Sequence, residues 1–123
     1  MTQSKEFLLE REVKIMKLWI DDVRPAPEGY FWCQTVNEAK REIILAERTC
    51  YDPFNNYHPW NIISLIDIDH DAGDYAVDGG DYIKLLDWLE ETGRNYPIHI
   101  HSMNPVGVAN MRAIIQKNGW REV

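Results

Sequence analysis

Nine polar residues in three short clusters hold most of the chemistry this chain offers: Asp21, Asp22 and Arg24; Asp69, His70 and Asp71; His101, Ser102 and Asn104. Carboxylates crowded into one cleft raise one another's pKa or demand a cation. A hard divalent ion such as Mg²⁺, held by a few oxygens and its own waters, relieves that crowding. Asp21, Asp22, Asp69 and Asp71 are the candidate metal ligands. A histidine beside a carboxylate has its tautomer fixed and its proton affinity raised, which suits acid–base work near neutrality. His70 and His101 are the candidates for that role. Arg24 can pair with Asp22 or clamp a phosphate through its planar fork. Ser102 can donate to a phosphoryl oxygen. The helix start at Asn104-Pro105-Val106-Gly107 can receive an anion on its amides.

What must position these clusters is a set of strands. Residues 16–20, MKLWI, form a short apolar run closed by Asp21-Asp22, as in a buried strand. Two prolines and a glycine in residues 23–29 exclude a helix there. Residues 30–34, YFWCQ, are a second strand. Thr35 opens a helix with Glu38 completing a capping box, and Val36, Ala39, Ile43 and Ala46 form its apolar stripe to about residue 48. Residues 49–61 hold prolines, asparagines and aromatics and are expected to be a loop, with His58 on its surface. Residues 62–68, IISLIDI, are the strongest strand signal. Asp81 is expected to cap a helix to about Thr92, with Tyr82, Leu85, Leu86 and Leu89 buried and Gly93 ending it. Residues 97–101 are a further strand, on which His99 shares a face with His101. Asn104 caps a last helix with Pro105 at its first position; Asn118-Gly119 close it. Trp120–Val123 form a short terminal strand at most.

Alternation of strands and helices around apolar strands predicts a small three-layer α/β fold with a mainly parallel sheet. Sites in such folds form at the carboxyl ends of the strands. Each polar cluster follows a different strand, so parallel neighbours bring all three to one edge. Any one cluster alone would read as solvated turn formers.

The 123 residues suffice for one domain and one core. We expect residues 1–15 to be an added helix or strand and residues 16–123 to be the domain. The net charge of −7 is concentrated: residues 67–91 hold nine acids and one base, and the remainder is nearly neutral. That disfavours gripping a nucleic-acid backbone, including a duplex, which needs a basic face. No apolar run approaches the ~20 residues of a membrane span. The charged start of the chain does not read as a signal peptide, so a cytoplasmic setting is expected. Cys33 and Cys50 lack metal-ligand spacing and read as free thiols in a reducing compartment.

Residues 16–29, then Asp69-His70-Asp71-Ala72-Gly73, then His101-Ser102-Met103-Asn104-Pro105-Val106-Gly107 resemble the cyclic-phosphate processing receiver-like domain, over roughly residues 16–118. That family is a divergent relative of response-regulator receiver domains. The resemblance implies a receiver-like (flavodoxin-like) fold truncated at its C-terminus, and processing of cyclic phosphate ends on nucleotides or RNA. By receiver analogy, Asp21 and Asp22 resemble the Mg²⁺-binding pair, Asp69 or Asp67 the phosphate acceptor, and Ser102 the hydroxyl of the following strand. Asp69 is therefore a candidate catalytic residue as well as a ligand. Two departures argue against phosphorelay signalling. No lysine follows a fifth strand, and the Pro-rich loop replaces the first receiver helix.

The reading favoured is a metal-assisted phosphoesterase acting on a phosphate-bearing small molecule or an RNA end. One alternative is a non-enzymatic receiver-like signalling or binding module with a Mg²⁺ pocket. Another is an interaction protein whose acidic stretch docks a basic partner.

Overall fold

The structure, a computed structural model, describes residues 14–52, 56–59 and 61–123. Residues 1–13, most of the expected N-terminal extension, lie outside the described residues. Four parallel strands form one sheet: β1 (Lys14–Ile20), β2 (Tyr30–Cys33), β5 (Asn61–Ile68) and β6 (Ile98–Ile100), in the order β2-β1-β5-β6. The remaining strands, β3 (Thr49–Asp52) and β4 (Asn56–Pro59), make a separate antiparallel ribbon. The helices are α1 (Val36–Glu47), α2 (Ile83–Glu91) and α3 (Pro105–Asn118), with a 3₁₀ turn at Gly73–Val77. This is the small receiver-like α/β architecture, with β1 joined to β2 by a loop in place of a helix.

Register explains where the core sits. Paired residues of parallel strands point to the same side. Leu18 lies between Phe31 and Ile66, and Ile66 abuts Ile98; Ile20 lies between Cys33 and Ile68. This row is apolar and fully buried apart from Phe31. Val36, Ala39 and Ile43 of α1, Leu85, Leu86 and Leu89 of α2, and Met111 and Ile115 of α3 all join it in a single core. All three helices thus pack on the same face of the sheet, so the fold has two layers where three were expected, because the loop after β1 and the short C-terminus put no helix on the other face. The alternate row, Trp19 with Trp32 and Asp67, and Asp67 with His99, faces the other way. The core side needs apolar residues at every second position only, which leaves the alternate row free to carry polar groups to the strand ends.

Helix ends fix the loops that follow the strands. Thr35 Oγ1 accepts the Glu38 N–H at 2.9 Å, as a cap should. Glu38 reaches back past Thr35 to accept the Gln34 N–H at 2.7 Å. The expected Asp81 cap is absent. Tyr82, in helical conformation, precedes α2 without a side-chain cap bond, its hydroxyl donating instead to the Gln34 carbonyl at 2.8 Å. Asp81 instead accepts the Ala72 N–H at 3.1 Å, because Ala72 is buried in the turn after β5 and its amide needs a partner. At α3 the expectation holds in detail: Asn104 Oδ1 accepts the Gly107 N–H at 3.0 Å, and Gly119 takes the left-handed conformation (φ 65°) that ends the helix.

Two segments differ from expectation. Residues 49–61 are not a loop: they contain the β3–β4 ribbon. Its pairing closes locally around Asp52 and Asn56, and Pro59 stands at the strand end, where a missing N–H is tolerated. At the C-terminus, Trp120–Val123 add one bridge, Ile98 to Glu122, instead of a strand. Trp120 nevertheless packs into the core. Among the described residues, no helix is long and apolar enough to cross a membrane.

Removing the α1 cap should be felt without unfolding the chain. Thr35→Ala is expected to lower the unfolding free energy by about 1 kcal/mol. Urea titration should show a lower midpoint with an unchanged slope.

Candidate active site at the carboxyl edge of the sheet

The ends of β1, β5 and β6 meet because their backbones are tied just past the last paired residues. The Asp69 N–H bonds the Ile20 carbonyl and the His101 N–H bonds the Ile68 carbonyl, each at 2.9 Å. Asp21, Asp69 and His101 therefore stand side by side on adjacent strand ends.

His101 is the most constrained side chain of the three. Its Nδ1 lies 2.6 Å from Asp67 Oδ1 and its Nε2 lies 2.9 Å from Asp21 Oδ2. The ring stacks on Trp19, with centroids 3.9 Å apart and planes 3° from parallel. Burial alone would push the imidazole pKa down. The hydrogen bonds and charges of Asp67 and Asp21 outweigh burial and raise it. Asp21 is fully buried. Burial pushes its carboxyl up, but the Arg24 and Val23 amides (2.9 and 3.0 Å to Oδ1) and His101 together bring it below its ordinary value. Arg24 adds a distant contact, Nε to Asp21 Oδ2 at 3.9 Å, with half its side chain in solvent. Asp22 is raised, first by burial and then by the neighbouring Asp21 charge.

His70 occupies a second position. Its Nδ1 lies 2.8 Å from Asp71 Oδ1. Its ring lies against Gly107 in the first turn of α3, so closely that a Cβ there would stand 2.4 Å from the ring carbon. Gly107 is thus required by the imidazole, not by its own backbone. Asp71 also accepts from Asn104 Nδ2 at 3.4 Å, linking the β5 turn to the α3 cap. Ser102 Oγ accepts the Asn104 N–H at 3.1 Å.

The structure therefore brings the candidates together in two linked groups. Asp21, Asp69 and His101 offer ligand atoms all within 4.8 Å of one another, a group fit to hold a cation. His70, Asp71 and Asn104 form the second. Asp22 and Asp71, expected as ligands, stand outside the first group. Asp71 is engaged by His70 and Asn104, and an added Cβ at Gly73 would stand 2.7 Å from Asp22 Oδ2. Asn104, expected to bind phosphate, has its carbonyl committed to the cap and its amide to Asp71. His99 takes no part: it donates to the Val123 carbonyl at 2.7 Å. Asp67, the alternative to Asp69 as phosphate acceptor by receiver analogy, points to His101. Its signal was an acid inside the most apolar strand, where burial demands a partner. Trp19 and Gly107 carried no such signal.

The family model described as the Cyclic-phosphate processing Receiver domain matches residues 16–117, most of the chain and all three clusters. No curated protein matches the chain, and no solved structure matches it.

The raised His101 pKa makes stability depend on pH. A raised folded-state value contributes stability that is complete below the ordinary imidazole value near 6.5 and is lost as pH rises through the raised value. The unfolding free energy should therefore fall as pH is raised above about 6.5. His101→Gln should flatten that slope. Asp21 acts on the acid side: its lowered value contributes stability above about pH 4 that is lost as pH falls further. Urea unfolding of both proteins across the pH range measures each limb.

Proposed function

The chain belongs to the cyclic-phosphate processing receiver family, and from that premise we propose that it opens a cyclic phosphate by adding water. The observation that carries this reading is the placement of His70, oriented by Asp71, against the first turn of α3 and beside the Asp21–Asp69–His101 group. Its substrate is a single phosphate end, on a nucleotide or an RNA terminus.

The division of labour between the histidines follows from their bonds. Among the described residues, both His101 nitrogens are engaged by carboxylates, while the Nε2 of His70 accepts or donates no bond. His70 is therefore the acid–base residue and Asp71 the group that sets its tautomer. His101, paired with His70 as acid and base in the sequence reading, holds charge at the strand ends instead. Water attacks phosphorus as its proton passes to His70 Nε2. The bond from phosphorus to one ring ester oxygen breaks, and that oxygen leaves as a hydroxyl, its proton coming from His70 through solvent. The product is a phosphate monoester.

Arg24, half exposed beside Asp21, is the guanidinium available to a phosphoryl oxygen. Ser102 accepts from Asn104 through Oγ and keeps its hydrogen for the phosphate. Asn104 contributes by capping α3, whose first amides favour an anion. A divalent cation held by Asp21 and Asp69 would neutralise the phosphoryl charge among these acids. Among the described residues Arg24 is the Lys or Arg side chain that pairs with these acids, so a bound cation would also help an acidic cleft accept a phosphate.

The test is turnover of 2′,3′-cyclic nucleotides by the full chain with Mg²⁺ or Mn²⁺, followed by ³¹P NMR. A monoester product is expected. His70→Gln should lower kcat by about 100-fold or more. Gly107→Ala should also lower kcat, because its Cβ would stand 2.4 Å from the His70 ring carbon and displace the ring from its place beside Asp71. Absence of turnover on nucleotides and RNA ends by folded protein overturns the reading. A Mg²⁺-dependent response to beryllofluoride without turnover would assign the receiver-like binding module instead.

A further inference from the structure

We propose that Asp21, Asp69 and His101 form a mixed oxygen–nitrogen site for a divalent transition ion such as Mn²⁺, with Asp67 as the positioning residue that aims His101 at it. The donor set is the first ground. A receiver-type acidic pocket with oxygen donors alone would suit Mg²⁺, which strongly prefers oxygen. Here the carboxylates that would complete such a set are elsewhere: Asp71 holds His70 and Asn104, and Asp22 stands outside the group. The third ligand atom within reach is an imidazole nitrogen, which suits first-row transition ions.

The second ground is the setting of the ring. A metal-binding histidine almost always donates its far N–H to a carboxylate, which fixes the tautomer and the ring direction. Asp67 provides that partner at 2.6 Å, from within β5 and nearly fully buried. Trp19 lies parallel beneath the ring and fixes its plane. Nε2 is thereby directed to Asp21, and an ion takes the place of the proton between them. Ligand atoms about 2.1 Å from one ion stand no more than about 4.2 Å apart. The three atoms, within 4.8 Å of one another, need only a small side-chain rotation to close on it. His101 is also nine-tenths buried, so the site is built into the strand ends and is not a surface cluster.

This site underlies the proposed hydrolysis, but it is tested with the metal alone, so either idea can fail without the other. Chelator-treated full chain is titrated calorimetrically with Mn²⁺ and, separately, Mg²⁺. One Mn²⁺ should bind at least tenfold tighter than Mg²⁺. In His101→Gln that preference should collapse to near parity. Asp67→Asn should weaken Mn²⁺ binding by about 10- to 100-fold. Pulsed EPR of the Mn²⁺-loaded wild type, which needs no variant to fold, should show coupling to a directly bound imidazole ¹⁴N. Mg²⁺ binding as tight as Mn²⁺, an unchanged preference in His101→Gln, or Mn²⁺ bound without nitrogen coupling would each overturn the proposal.

Discussion

Two buried carboxylates, Asp67 and Asp21, face the two nitrogens of one imidazole, and the carboxyl edge is organised around that clamp. Asp67 left in its buried strand without His101 would be an uncompensated charge, and breaking such a pair typically costs about 3–5 kcal/mol. The clamp therefore requires β1, β5 and β6 to end in register. The backbone bonds from Asp69 to Ile20 and from His101 to Ile68 supply that register. The loop after β1 is held by the same residue, because the Val23 and Arg24 amides close on Asp21 Oδ1. Asp21 thus terminates a strand, caps a loop and anchors an imidazole.

The helices make this arrangement affordable in structural terms by staying on the other face. The rows Leu18–Ile66–Ile98 and Ile20–Ile68 supply the core, with all three helices against them. The intervening residues Trp19 and Asp67 are then free to serve the site without disrupting apolar packing. Trp19 supports the His101 ring, and its indole N–H bonds the Arg24 carbonyl at 2.9 Å. Trp32 bonds the Asp21 carbonyl at 2.8 Å. The aromatic residues of β1 and β2, which read in sequence as strand formers, brace the loop that follows β1.

The elements were legible wherever pattern and punctuation agreed. The four sheet strands, α1 with its Thr35 cap, and α3 with Asn104, Pro105 and Gly119 follow directly from residue type and spacing. The ribbon at residues 49–59 was not legible, because turn residues dominate it and its pairing is stabilised by its partner strand more than by local preference. The Asp81 cap failed for a related reason: a buried amide at Ala72, distant in sequence, competes for the same carboxylate. For the site, the rule that α/β sheets bind at strand ends singled out three clusters, and the structure does place them along one edge. The rule could not divide them, because which acid meets which histidine depends on side-chain direction.

By itself the sequence determined the parallel α/β fold, the edge at which polar residues gather, and the family, since motif order and hydrophobic alternation are written locally along the chain. Tertiary structure alone decided the partners. It turned Asp67 from a strand acid into the support of His101, moved Asp71 from the cation group to His70, and made Gly107 the seat of an imidazole. The reason is physical. Residues separated by 34 positions, as Asp67 and His101 are, become neighbours only through strand register, and burial then sets the strength of the interaction between them.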